Sequence, residues 1–238
     1  KLLNDTVMFR PGMLKQLCDE IRKHPDGDVF LTNLKNCHLE YEKRIRSVNE
    51  AVEYGSFFIT WISSYTYRRE KYCALSAPFR YFALSFPQED IYFRILDDHG
   101  VSYFLNQVYF ERQSITFDLS SRNEAKIFGD SYILFLQIYL KSMLLTESVF
   151  EREKRDVLFW HILPVYFDFT KEFFAGKNLG WKVFWKSMPQ YHQNWYYYVA
   201  IVIAFVYLTA MKIPGIKQLM RWLKDFVKSF TRNQLVED

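Results

Sequence analysis

The chain has 238 residues, half of them hydrophobic and 19% aromatic, with a net charge of +4 at pH 7. That composition excludes a disordered chain and suits one large domain or two small ones. Six Lys or Arg stand against three acids from Lys212 to Asp238, so the tail holds most of the net charge, and the near-neutral remainder lacks the basic footprint of a nucleic-acid binder.

In chain order, Gly12–His24 is predicted as a short helix, because Leu14, Leu17, Cys18 and Ile21 share one face. His24-Pro25-Asp26-Gly27-Asp28 ends it with turn-forming residues. Val29–Leu34 has strand character, and the charged segment His38–Tyr54 carries a partial helical stripe of Leu39, Ile45, Val48 and Val52. From Ser56 to Phe86 aromatic and β-branched residues dominate, which predicts a β-rich middle. Arg68–Lys71 reads as a polar connection there, and Pro78 as an edge position or a break.

Pro87–Asp98 is predicted as a helix with Glu89 and Asp90 in its first turn, closed by Asp97-Asp98-His99-Gly100. Ser114–Ser120 alternates like a strand. Ser121–Leu145 reads as a long helix, with Ser121 and Glu124 at capping-box spacing. Gln137 and Lys141 interrupt its apolar far half, so a buried or interfacial helix is expected rather than a span. Glu151–Asp156 reads as a solvated helix face, and Asp156–Phe169 is apolar again up to a break at Pro164.

The decisive stretch is Trp195–Ile213. Its 19 residues, at about 1.5 Å each, approach the ~30 Å hydrocarbon thickness of a bilayer. No Lys, Arg, Asp or Glu lies between Lys186 and Lys212. Trp195, Tyr196, Tyr197 and Tyr198 form an aromatic belt at one end, Ile201 and Phe205 lie inside, and Lys212 can snorkel at the other end. A single transmembrane helix is predicted.

After Pro214-Gly215 the pattern becomes cationic and amphipathic. Ile216, Leu219, Met220, Leu223, Phe226, Val227 and Phe230 fall on one side; Lys217, Arg221, Lys224, Asp225 and Lys228 fall on the other. Lys217, Arg221, Trp222, Lys224, Phe226 and Lys228 are the expected contacts with anionic headgroups. Five Lys or Arg from Lys212 to Lys228, against Lys177, Lys182 and Lys186 before the span, favour a cytoplasmic tail.

Motifs for chemistry are sparse. The chain has no GxSxG, P-loop, HExxH or GxGxxG pattern, and eight glycines leave little for a phosphate-cradling loop. Cys18, Cys37 and Cys73 form no CxxC pair or zinc-type spacing and read as small buried residues. Asp97, Asp98 and His99 form a weak candidate polar site, set against a plain polar helix end. His38, Glu40 and Glu42 alternate and would share a face if extended, set against a solvated edge. His161 reads as a hydrogen-bonded core residue.

The expectation is therefore an α+β protein: an aromatic-rich mixed domain over residues 1–194, a transmembrane helix over 195–213 and a basic amphipathic tail over 214–238. Its expected role is a membrane-anchored, non-enzymatic assembly, scaffold or sensor-like subunit. Its expected partners are membrane lipid and other membrane-protein subunits, with no nucleic acid, no metal and no cofactor. The alternative is a membrane-bound enzyme or transfer protein acting on lipid or lipid-linked substrates.

Overall fold

A mixed four-stranded sheet organises the first part of the protein. The computed structural model describes residues 7–32, 42–78, 80–112, 126–164 and 188–210. The chain divides into two units, Lys1–Val157 and Leu158–Asp238. The architecture is α+β.

In the first unit the sheet comprises β2 (Val29–Leu31), β3 (Lys43–Ile45), β4 (Tyr65–Tyr67) and β5 (Ser102–Phe104), in the order β3-β5-β2-β4. The central pair, β2 and β5, is parallel, and each edge strand is antiparallel to its neighbour. A separate two-stranded ribbon pairs β1 (Val7–Phe9) with β6 (Phe110–Arg112), where the Phe9 and Phe110 rings meet at 4.5 Å.

Alternation sends the two sets of side chains to opposite faces. Phe30, Thr66, Tyr103 and Arg44 lie in register on one face. Phe30 and Tyr103 there share a core with Leu17 of α1 (Met13–Lys23), Leu105, Tyr109 and Phe110. The other face carries Leu31, Tyr65, Phe104 and Ile45, all fully buried. It meets α4 (Pro87–Asp97), where Tyr92 packs on Tyr65 and shares a 2.7 Å hydrogen bond with Ser102. Both faces are covered, so all three residues of β2 are buried.

The predicted α1 and α4 are present nearly to the residue. Gly12, at φ 78°, occupies the left-handed conformation that starts α1. The partial stripe before Tyr54 resolves into β3 and α2 (Val48–Gly55). Ser47 caps α2 by accepting from the Glu50 N–H, while the Glu50 carboxylate accepts from the Arg46 N–H.

The β-rich middle is overturned. The described residues of 56–86 contribute one strand, β4, which follows 3₁₀ turns at Ser56–Thr60 and Ile62–Ser64 and precedes α3 (Arg69–Ala74) and another 3₁₀ turn at Phe82–Leu84. Side chains, rather than a strand ladder, take several carbonyls here. Tyr65 donates to Ile59 O, Gln88 donates to Thr60 O, and Arg94 donates to the carbonyls of Ser76 and Ala77. Left-handed backbone at Ala77, Tyr81 and Ser85 is also incompatible with a pleat.

The expected long helix is helical from Lys126, first with π-type bonding over Ile127–Tyr132 and then as α5 (Ile133–Lys141). Its apolar half is buried through Ile133, Phe135, Leu136 and Tyr139. It stops at Lys141 rather than Leu145, because Met143 turns left-handed at φ 61°. Helix α6 (Glu147–Asp156) then runs into a π-helical turn over Val157–Ile162. Two residues of its charged run depart from the solvated reading: Glu153 and Lys154 are buried. Cys73 departs from the buried reading and is exposed, while Cys18 is half-buried. The Ser114–Ser120 strand and the Ser121 cap lie outside the described residues.

In the second unit, a 3₁₀ turn at Pro189–Tyr191 leads into α7 (Trp195–Ala210). The Tyr191 ring stacks on Tyr197 at 6.0 Å and meets Tyr196 edge-on.

Candidate functional site

Helix α7 divides its surface sharply. Trp195, Tyr198, Val199, Val202, Phe205 and Val206 are exposed, Trp195 at 75% and Phe205 at 63%. At 100° per residue these six fall within one continuous stripe. Tyr196, Tyr197, Ala200, Ala204 and Tyr207 are buried and occupy the opposite side; Ile201 lies between. Ala200 and Ala204 are one turn apart, a spacing of small residues that permits close helix approach. The Tyr198 hydroxyl donates to His192 O at 2.8 Å, so the polar tip on the exposed stripe is already engaged.

Ordinary helices turn charge towards water; this one turns valine and phenylalanine outward. Its 16 described residues would run about 24 Å. Among the described residues, no helix is long and apolar enough to cross a membrane. Lys212 and the tail residues Lys217, Arg221, Trp222, Lys224, Phe226 and Lys228 lie outside the described residues, as do His38 and Glu40.

Asp97, Asp98 and His99 form the end of α4. His99 takes the left-handed conformation at φ 56°, the Asp98 N–H donates to Arg94 O, and the Gly100 N–H donates to Ile95 O. This is a Schellman-type closure, built from backbone. A Cβ at Gly100 would lie 2.4 Å from Ile95 O, so the close approach requires glycine. Lys71 holds Asp98 at 3.0 Å and keeps its carboxyl below the usual range. The three side chains are not gathered into a ligand set.

Glu42 does converge with other residues, but with Glu20 of α1 and His24, which follows that helix. His24 Nε2 lies 2.6 Å from Glu42 Oε1, and Lys23 pairs with Glu20 at 2.7 Å. The His24 ring stacks on Tyr103 at 4.1 Å. Burial lifts the Glu42 carboxyl above its ordinary value; His24 opposes the shift and the Glu20 charge adds to it. The available sequence signal was Glu20 and His24 four apart on a predicted helix, a spacing that puts both on one face.

Among the described residues of the first unit, three acids are buried: Asp90, Glu89 and Glu153. Asp90 is ion-paired with Arg80 and Arg94 and accepts from Tyr139. Glu89 is fully buried. Burial pushes its carboxyl well above the carboxylate range; hydrogen bonding from its own N–H and the Gln88 side chain opposes the shift. Glu153 accepts from the Tyr132 hydroxyl at 3.2 Å. Burial pushes it up to about 8; hydrogen bonds from Ser56 and Tyr132 oppose this and the Asp156 charge adds to it.

A raised carboxyl pKa means that the folded state holds the proton more tightly than the unfolded state. Its stabilising contribution is complete below the unfolded value near 4.3 and is lost as pH rises towards about 8. Glu153→Gln should remove that loss. Denaturant unfolding should find the variant near wild type at pH 4.5 and more stable by several kcal/mol, as an order of magnitude, at pH 8. Parallel stability curves for the two proteins across that range would contradict a buried, protonated Glu153.

Comparison with protein-family models, with curated proteins and with solved structures finds no match.

Proposed function

We propose that the protein is a membrane-anchored, non-enzymatic assembly, scaffold or sensor-like subunit that works through protein and lipid contacts. The observation that carries this reading is the exposed apolar stripe of α7, set within a stretch free of Lys, Arg, Asp and Glu from 187 to 211. In water that stripe is unfavourable; against acyl chains it is at home. Trp195 and Tyr198 at its start suit the border between headgroup and hydrocarbon. The span extends over 195–213, and the basic segment 214–238 lies along anionic headgroups on the cytoplasmic side. The small residues Ala200 and Ala204 on the opposite side suit helix packing within the protein.

The test is fractionation of cells expressing the full chain. The protein should remain in the membrane pellet after an alkaline carbonate wash and leave it only with detergent. Purification in mild detergent should then recover partner chains in fixed ratio. A protein found wholly in the aqueous supernatant would reject the anchoring. Turnover of a lipid substrate by the purified chain would replace the scaffold with the enzyme reading.

A further inference from the structure

We infer that Glu20, His24 and Glu42 bind one divalent transition-metal ion of the zinc class. Glu20 and His24 stand one turn apart at the end of α1, and Glu42 immediately precedes β3. One ligand atom from each lies within 4.8 Å of the others. An ion with bonds of about 2.0–2.2 Å holds tetrahedral ligand atoms about 3.3–3.6 Å apart, so side-chain rotations of about 1 Å gather the set. One imidazole and two carboxylates form a mixed nitrogen and oxygen donor set. It suits zinc, cobalt, iron or manganese better than calcium or magnesium, which take oxygen alone. Three protein ligands leave a further position for water.

The surroundings favour a cation. Two carboxylates face each other across the cluster, and Glu42 is already held partly out of water. Both charges also reach the buried Tyr109 phenol; they add to the burial that pushes it up to about 12. The Tyr103 ring fixes the plane of the His24 imidazole before any ion arrives. Lys23 is the resident competitor for Glu20, but its side chain is 63% exposed. The lysine end of the pair is open to solvent, so Lys23 can swing away when the ion enters. Binding must also break the His24–Glu42 hydrogen bond, and any proton carried by the ligands leaves with it. The ion would then tie the last turn of α1 to the entrance of β3. This inference is independent of the membrane reading.

The experiment uses the full chain in mild detergent, stripped with a chelator and titrated with cobalt(II), then with zinc(II). One cobalt per chain should bind, giving visible d–d bands of a low-coordinate nitrogen and oxygen site, and zinc should displace it. His24→Gln and Glu42→Gln should each weaken binding by roughly tenfold or more while circular dichroism stays unchanged. Should either variant fail to fold, Glu20→Gln and the wild-type cobalt spectrum decide. Absence of stoichiometric cobalt, a thiolate charge-transfer band marking cysteine ligation, or unchanged affinity in the folded variants would each overturn the site.

Discussion

Asp90→Ala should destabilise the Lys1–Val157 unit by about 3–5 kcal/mol, the usual cost of removing one member of a buried ion pair. The carboxylate has no solvent exposure. Arg80 Nε approaches its two oxygens at 2.8 and 3.0 Å, the Tyr139 hydroxyl donates at 2.6 Å, and Arg94 stands at 3.6 Å. Alanine leaves the Tyr139 hydroxyl without its acceptor, and leaves the Arg94 guanidinium, 14% exposed, without its countercharge. The damage extends beyond one bond, because the same cluster fixes the segment before α4. Arg94 grips the Ser76 and Ala77 carbonyls, and Arg80 comes from that segment. Asn should restore part of the loss, since it keeps an acceptor for Tyr139. Arg80→Ala should cost less, because Arg80 is 41% exposed and its site can rehydrate. Denaturant melts followed by circular dichroism measure all three; a loss below about 1 kcal/mol for Asp90→Ala would show that water reaches the cluster.

On the proposed membrane anchoring, Val202→Asp with Phe205→Asp should move the chain from the membrane pellet to the supernatant. Both side chains belong to the exposed stripe of α7 and lie near the middle of the uncharged stretch. An aspartate at the centre of a spanning helix costs about 2.5–3.5 kcal/mol on insertion scales, so two cost about 5–7 kcal/mol. Val202→Leu with Phe205→Leu keeps the stripe apolar and should partition as wild type. The readout is the fraction retained in the pellet after carbonate washing. Full retention of the double aspartate variant would mean that the stripe meets protein or water rather than lipid.

Periodicity made α1 and α4 legible, because Leu17 and Ile21 recur at helical spacing and Pro87 and Gly100 mark the ends of α4. It failed between Ser56 and Phe86, where strand-favouring aromatic residues sit in 3₁₀ turns instead, Phe57 buried and Phe82 exposed. Distant side chains such as Gln88 and Arg94 supply the missing hydrogen bonds there, and those partners become visible only once α4 is placed. The Ser47 and Glu50 cap was readable at S-x-x-E spacing, yet the acids of that segment were grouped by strand alternation instead. That grouping set Glu42 beside His38 and Glu40, whereas the fold brings it to Glu20 and His24. No pattern within one segment reports such a meeting. Buried Asp90 and Glu89 were expected only as first-turn acids, since their burial depends on β4, α5 and the loop before α4.

The parallel pairing of β2 with β5 has a consequence for biosynthesis. Asp28 and Val101, 73 positions apart, already bond side chain to backbone at the mouth of this pair. At roughly 5–20 residues per second, a ribosome takes several seconds to deliver the second partner after the first. For about the first half of that delay Val29-Phe30-Leu31 has no partner strand, and for the second half it has β4 but not the strand that completes the centre. The nascent chain therefore carries a sticky, half-satisfied edge during translation, and a chaperone or an early-docking α1 must shield it until Ser102–Phe104 emerges.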